Sequence, residues 1–470
     1  MKKNVLLINV HNPEVYGNAE VSLHPLGLLY IGSYLLYKGF NVKIIDYQIV
    51  KFKEEDLLKE IRESEPLCIG FTVLTPQIEI VYKLCGIIRK NFAKALIVLG
   101  GHHITALKEK ILIENENIDF ILTGEAEISM YRLCLFLADK QDTFSLDSIA
   151  GLGYRKDNAV KYNNNIEPIE NLDDLPEIEY SIINVDKYIP SIKWATHSKF
   201  ITMMTSRGCP FKCNFCSAHL TFGRKVRFRS IDKVISDIEK CYTRNKIEYV
   251  IFYDDTFSVN RARILEFCSK LLSKKILIKW GCLSRVDCVD EELLKVMKEA
   301  GCSMLSFGVE SGSENVLRKI NKGITLQKIR DAFFLTRKLG IETTASMIIG
   351  LPEETIEDIY QTINFVLEIN PTFLQIARAV PYPGTDLYNN LLNLKQINEN
   401  ISFSQYHEYS NYPLFKNDNI SEEVLVELSK KLYREFYLRP GKIFEIAARL
   451  KNPYILKRYI KSAWSFIKLI

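Results

Sequence analysis

The stretch FITMMTSRGCPFKCNFC, residues 200–216, decides how the rest of the chain is read. It opens with apolar and β-branched residues bounded by polar ones, which predicts a short buried strand. The run feeds a loop holding Cys209, Cys213 and Cys216, spaced C-x3-C-x2-C, with no fourth cysteine close by. A closed structural zinc site takes four protein ligands. Three thiols in a loop beyond a strand suit an iron–sulfur cluster whose fourth iron is left for a small molecule. The alternative is zinc held by these thiolates and His219, although zinc ribbons usually bring ligands as two pairs from separate turns.

Working outward, the same strand pattern recurs at residues 249–253, 276–280, 304–307, 343–349 and 373–376, with helical patterns at 231–241, 290–300 and 326–339. Six consecutive βα units predict a partial or complete TIM-type barrel over residues 199–380, with its chemistry in the loops after the strands. Toward the N-terminus, residues 5–8, 42–45, 67–71, 96–99 and 120–122 are near-continuous apolar runs alternating with helical stretches. They predict a doubly wound, Rossmann-like α/β domain over residues 1–140, its ligand beyond the carboxyl ends of the strands. Residues 141–198, with their Asn, Asp and Pro, read as a connector with a small hairpin. Residues 381–470 are less regular and become helical.

The chain of 470 residues is 47% apolar and 25% charged with a formal net charge of +5, an ordinary globular composition with no basic arm for nucleic acid. MKKNVLLINV begins with charge and an apolar run, but His11-Asn12-Pro13 ends it without a cleavage pattern, and no apolar run has transmembrane length. Eight of the 11 cysteines stand singly in apolar or amphipathic segments and read as reduced core residues, which points to the cytoplasm. The tail YILKRYIKSAWSFIKLI reads as a terminal helix packed on the barrel, with an interfacial membrane helix as the alternative.

The cysteine spacing, with Phe215 before the last thiol, resembles the cluster motif of the radical S-adenosylmethionine (SAM) superfamily. The resemblance implies a [4Fe-4S] cluster on Cys209, Cys213 and Cys216. It further implies SAM on the exposed iron, cleaved to a 5′-deoxyadenosyl radical, and an electron donor such as flavodoxin or ferredoxin. Tyr253-Asp254-Asp255 ends the second barrel strand, where the family contacts the methionine amino group, although the usual Gly-Gly-Glu is absent. Glu310-Ser311 resembles a ribose and carboxylate contact. Ser346-x-Ile348-x-Gly350-x-x-Glu353 resembles the stretch beside the adenine, with serine for the first glycine. Without the resemblance, Asp254 and Glu310 read as helix caps and Gly350-Leu351-Pro352 as a strand-to-helix turn.

The first domain lacks the dinucleotide fingerprint G-x-G-x-x-G. Instead Thr72-x-Leu74-Thr75 follows its third strand, Gly100-Gly101-His102-His103-x-Thr105 its fourth, and Gly124-Glu125-Ala126-Glu127 its fifth. Paired glycines admit a bulky ligand to the backbone, and hydroxyls can bind its polar tail. With Asn9-x-His11, these motifs resemble the cobalamin-binding domain. In this order they are similar to the cobalamin-dependent radical SAM enzymes over residues 5–380. The resemblance implies a small-molecule carbon methyltransferase, with radical cyclisation or ring rearrangement as the alternative. A non-catalytic cobalamin sensor is a further alternative. His11 is either a cobalt ligand or a loop histidine.

Overall fold

The computed structural model describes residues 3–13, 22–138, 145–157, 159–191, 194, 199–410 and 412–449. The five N-terminal runs form β1 (Asn4–Asn9), β2 (Asn41–Asp46), β3 (Cys68–Thr72), β4 (Ile97–Gly100) and β5 (Phe120–Leu122). They are mutually parallel in the order 2-1-3-4-5. Along β1, Leu6 and Ile8 enter one hydrophobic core while Val5 and Leu7 enter another. Both faces are therefore covered, which is why the run is apolar without alternation. The strand order reverses between β1 and β3, and that reversal opens a crevice beyond their carboxyl ends.

One boundary moves. β6 (Leu152–Lys156) and β7 (Ala159–Tyr162) form a hairpin that joins β5 antiparallel, so the first sheet extends to residue 162 instead of ending before the connector at 141. Only Leu152, Gly153 and Tyr154 are buried in β6, too short an apolar run to tie the predicted hairpin to the first sheet.

The second sheet holds β8 (Phe200–Met203) and, after a two-residue ribbon of β9 (Ser206–Arg207) and β10 (Arg227–Phe228), five further strands. These are β11 (Tyr249–Phe252), β12 (Lys279–Ser284), β13 (Cys302–Glu310), β14 (Glu342–Ile349) and β15 (Phe373–Arg378). All six large strands are parallel and sequential, with β8 and β15 as free edges, so the barrel is partial. β12 lies further on than the run at 276–280 predicts. Ile276 and Ile278 are buried under the end of helix Arg261–Ser273, and the strand continues through Gly281, a weak strand former.

Unpaired strand edges need partners. At β8 the hydroxyls of Tyr180 and Tyr30 donate to the carbonyls of Thr202 and Met204, at 2.6 and 2.7 Å. At β15 the Tyr437 hydroxyl accepts from Leu374 N at 3.0 Å, and that of Tyr433 accepts from Ile376 N at 3.2 Å. Both tyrosines lie on helix Glu422–Tyr437, which covers the β15 edge. Among the described residues no helix is long and apolar enough to cross a membrane. The tail beyond residue 449, with its helix and membrane readings, lies outside the described residues.

Candidate functional site

Residues 208–226 form a loop whose neck is the β9–β10 ribbon, and all three motif cysteines lie on it. Gly208 makes the first turn with φ +94°, and a Cβ there would run into the Lys225 carbonyl across the neck. All three thiols are free; Cys209 bears electrostatically on Cys213, and both bear on Cys216. Burial raises the Cys213 thiol pKa against the opposing pull of Lys322 and Arg285, and burial pushes Cys216 up to about 11. Arg285 stacks on the Phe211 ring at 3.6 Å and brings Nη1 to 4.0 Å from Cys213 Sγ. Both cations beside the thiols are paired with carboxylates, Arg285 with Asp287 at 2.9 Å and Lys322 with Glu310 at 2.7 Å. Among the described residues no three or more His, Cys, Asp or Glu side chains converge on a single-ion position, so the zinc set with His219 is not formed. His219 instead has Nδ1 at 3.0 Å from the Cys216 carbonyl.

The strand-end carboxylates divide into two kinds. Asp254 is completely buried and accepts from Thr205 N at 3.1 Å, Thr205 Oγ1 at 2.9 Å and the Ser206 hydroxyl. It holds β11 to the start of the cysteine loop and is saturated. Asp255 Oδ2 is buried with no hydrogen-bond partner. Burial, then the neighbouring Asp254, push its carboxyl up to about 6, and its charge reaches Cys216. Asp255 thus keeps a carboxylate oxygen without a protein partner, whereas the oxygens of Asp254 are engaged.

Of the other barrel positions, Glu310 sits at a register shift in β13 and pairs with buried Lys322 at 2.7 Å, close enough to Cys213 to affect it. Ser311 is internal, its hydroxyl 3.1 Å from Thr362 Oγ1. Ser346 and Ile348 are half-buried on β14. At the turn after β14 the amides of Gly350 and Leu351 donate to Glu354 Oε2 at 2.6 and 3.0 Å. The motif's Glu353 faces solvent and pairs with Lys319, so the buried carboxyl is one residue later than the spacing implies.

A cavity of about 1250 Å³ spans the two domains. Small-molecule sites usually occupy about 300–1,000 Å³, so this space suits a larger group. One wall is Asn9, Thr72, Leu74, Gly100, Gly101, His102, Gly124 and Glu125, the ends of β1, β3, β4 and β5. The opposite wall includes Met204, Arg207, Tyr253 and Thr344 of the barrel region, with Tyr433 and Tyr437 beside them. Thr75 and Thr105 stand behind the wall. Thr75 faces His103 Nδ1 at 3.3 Å, and Thr105 Oγ1 donates to Gly101 O and accepts from Gly124 N, each at 3.0 Å. Thr105 thus ties two glycine loops together. His102 lines the cavity with Nδ1 at 2.9 Å from Thr221 Oγ1 of the cysteine loop. His11 is half-buried near Asp46 and does not line this cavity.

Glu125 lines the cavity, but its carboxylate is engaged. It pairs with Arg207 at 2.6 Å and with Arg227, while Glu127 pairs with the other side of Arg207. All four side chains are 5% exposed or less. The sequence reading missed the two arginines, Arg285 and Lys322, and the tyrosines of helix Glu422–Tyr437. The one local signal for the last is the Tyr433-x3-Tyr437 spacing, which puts both rings on one helical face.

The sequence profile of the Radical SAM superfamily matches residues 203–366, and that of the B12 binding domain matches residues 15–133. An uncharacterized methyltransferase of Pyrococcus horikoshii is 32% identical over 438 residues, 93% of this chain and 92% of that one. The anaerobic magnesium-protoporphyrin IX monomethyl ester cyclase of Rubrivivax gelatinosus is 29% identical, over 90% of this chain and 75% of its own. In fold, the chain is similar to the cobalamin-dependent S-adenosylmethionine radical enzyme OxsB, solved with aqua-cobalamin and S-adenosylmethionine bound. There the TM-score is 0.77 at 18% identity, covering 99% of this chain and 71% of that one.

Proposed function

The chain belongs to the radical S-adenosylmethionine enzymes that carry a B12-binding domain, and we propose that it is a methyltransferase acting on a carbon of a small molecule. When bound, the cluster and SAM supply one-electron chemistry at carbon, and cobalamin supplies a methyl carrier. Cys209, Cys213 and Cys216 hold the cluster. Asp255 receives the SAM amino group, and the β14 turn from Ser346 to Gly350 flanks the adenine. Thr72, Leu74, Gly100, Gly101, His102 and Gly124 form the cobalamin wall. Thr75 and Thr105 support that wall from behind, Glu125 belongs to it with its carboxylate held by arginines, and His11 takes no part in it.

The observation that carries this reading is the single cavity of about 1250 Å³ touching both the glycine loops of the first domain and the barrel mouth beside the cysteine loop. A cofactor held against the glycine loops there would lie beside Thr221 and Phe222 of the loop that carries the three thiols, which brings two reacting groups close together. The methyltransferase relative supports methylation in particular. The test is anaerobic reconstitution with iron, sulfide and cobalamin, then reduction with SAM deuterated in its methyl group. Label on cobalamin and 5′-deoxyadenosine in solution, both lost in Cys213→Ala, support the reading. A fully loaded protein that forms 5′-deoxyadenosine but never moves the label favours the oxidative cyclase reading, to which the Rubrivivax relative points. A loaded protein that does neither refutes enzymatic function.

A further inference from the structure

The neck of the cysteine loop is where the two domains grip each other. Arg207 and Arg227 face one another across the antiparallel ribbon, and everything between them carries the three cysteines. Glu125 reaches from the first domain to both arginines, and Glu127 completes the clamp on Arg207. The arrangement holds two guanidinium groups against two carboxylates, so its charges balance. Its other donors are also used: Arg227 donates to the Ile169 and Phe222 carbonyls at 2.7 and 2.9 Å. Tyr30, from the first domain, lies 5.0 Å below the Arg207 guanidinium.

Burying four charges is a poor way to gain stability, because desolvation consumes most of the attraction. What such a network does well is to demand one geometry, since the Arg207 guanidinium is held by Glu125 on Nη1 and by Glu127 on Nη2, and its planar fork fixes the directions of both. Glu125 belongs to the loop that also lines the cavity, and Arg207 stands two residues before Cys209. We infer that Arg207, Arg227, Glu125 and Glu127 form a positioning lock that fixes the cobalamin-side wall against the neck of the cysteine loop. The lock sets the separation and orientation of the two cofactor sites. The four side chains are positioning residues. The inference rests on the proposed cofactor assignment for its consequence, but the lock has a readout of its own.

That readout is hydrogen exchange of the backbone amides in residues 208–226, measured on the chain without cofactors. The wild type should protect them, and Glu127→Gln and Glu125→Gln should speed their exchange about tenfold or more while β11 to β14 keep theirs. Rapid exchange in the wild type, or wild-type exchange in both variants, overturns the lock whatever the chain binds. In the loaded protein, Glu127→Gln is the milder change because the bonds from Glu125 remain. It should keep its iron and cobalamin but broaden the dipolar distance distribution between reduced cluster and cob(II)alamin measured by pulsed electron paramagnetic resonance. Label transfer from SAM to cobalamin should fall about 100-fold, the loss expected for displacement near 1 Å. An unchanged distribution in both variants reduces the network to a structural contact and overturns the inference. A wild type that shows the protection but binds no cobalamin defeats the proposed function and leaves the lock standing.

Discussion

Gly101→Ala tests the cobalamin wall most sharply. Gly101 has φ +105° and ψ −177°, a region that residues other than glycine scarcely enter. An added Cβ would lie 2.7 Å from Val73 O and 2.8 Å from Val73 N. Neither atom can yield easily, since Val73 N donates to Gly100 O at 2.8 Å and Val73 O accepts from His103 N at 3.2 Å. Backbone strain of about 1–3 kcal/mol and overpacking of about 1–3 kcal/mol together predict a loss of about 4 kcal/mol. Gly100 is the internal control. A Cβ there meets only Leu122 O, at an ordinary 3.5 Å, so Gly100→Ala should cost about 1 kcal/mol or less. Urea unfolding of the first domain followed by circular dichroism gives both values, and cobalamin absorbance reads the wall itself. Equal costs at the two positions, or a loss below about 1 kcal/mol for Gly101→Ala, would refute the reasoning.

The two adjacent aspartates should separate cleanly. Asp255→Asn should weaken SAM binding by about tenfold to 100-fold in equilibrium dialysis with little change in stability, as for a lost charged hydrogen bond. Asp254→Asn should instead destabilise by about 3 kcal/mol, because it disturbs a buried carboxylate that accepts from Thr205 and Ser206; the reverse pattern would contradict the assignment. Glu354 titrates at about 8 in the fold, raised from 4.5 by burial. Its contribution to stability is therefore complete below about pH 4.5 and is lost as pH rises through about 8, a range worth at most about 5 kcal/mol. Glu354→Gln should remove that slope, and a difference from wild type that stays constant from pH 5 to 8 would count against it. Tyr437→Phe should leave the Leu374 amide and carbonyl unpaired at the β15 edge, costing about 1–3 kcal/mol and speeding hydrogen exchange there.

Much of this molecule is legible in short windows. The five apolar runs of the first domain, the six of the barrel and the C-x3-C-x2-C loop are local patterns, and the strands form at or near the predicted residues. The predicted hairpin was not tied to the first sheet because the three buried residues of β6 are too few to set a period, and β12 was placed too early because Ile276 and Ile278 serve a helix end. In the same way, Tyr253-Asp254-Asp255 marked a strand end but could not say which carboxylate the protein itself engages.

The chain's order of residues determined the two α/β domains and brought three thiols onto one loop, because hydrophobic period and ligand spacing act over a few residues. Tertiary structure alone decided that Asp254 is saturated while Asp255 keeps an oxygen without a protein partner. It also decided that Glu125 answers to Arg207, 82 residues away, instead of to a ligand. A charge's role depends on which partner reaches it after burial, and that is settled by packing across the whole molecule.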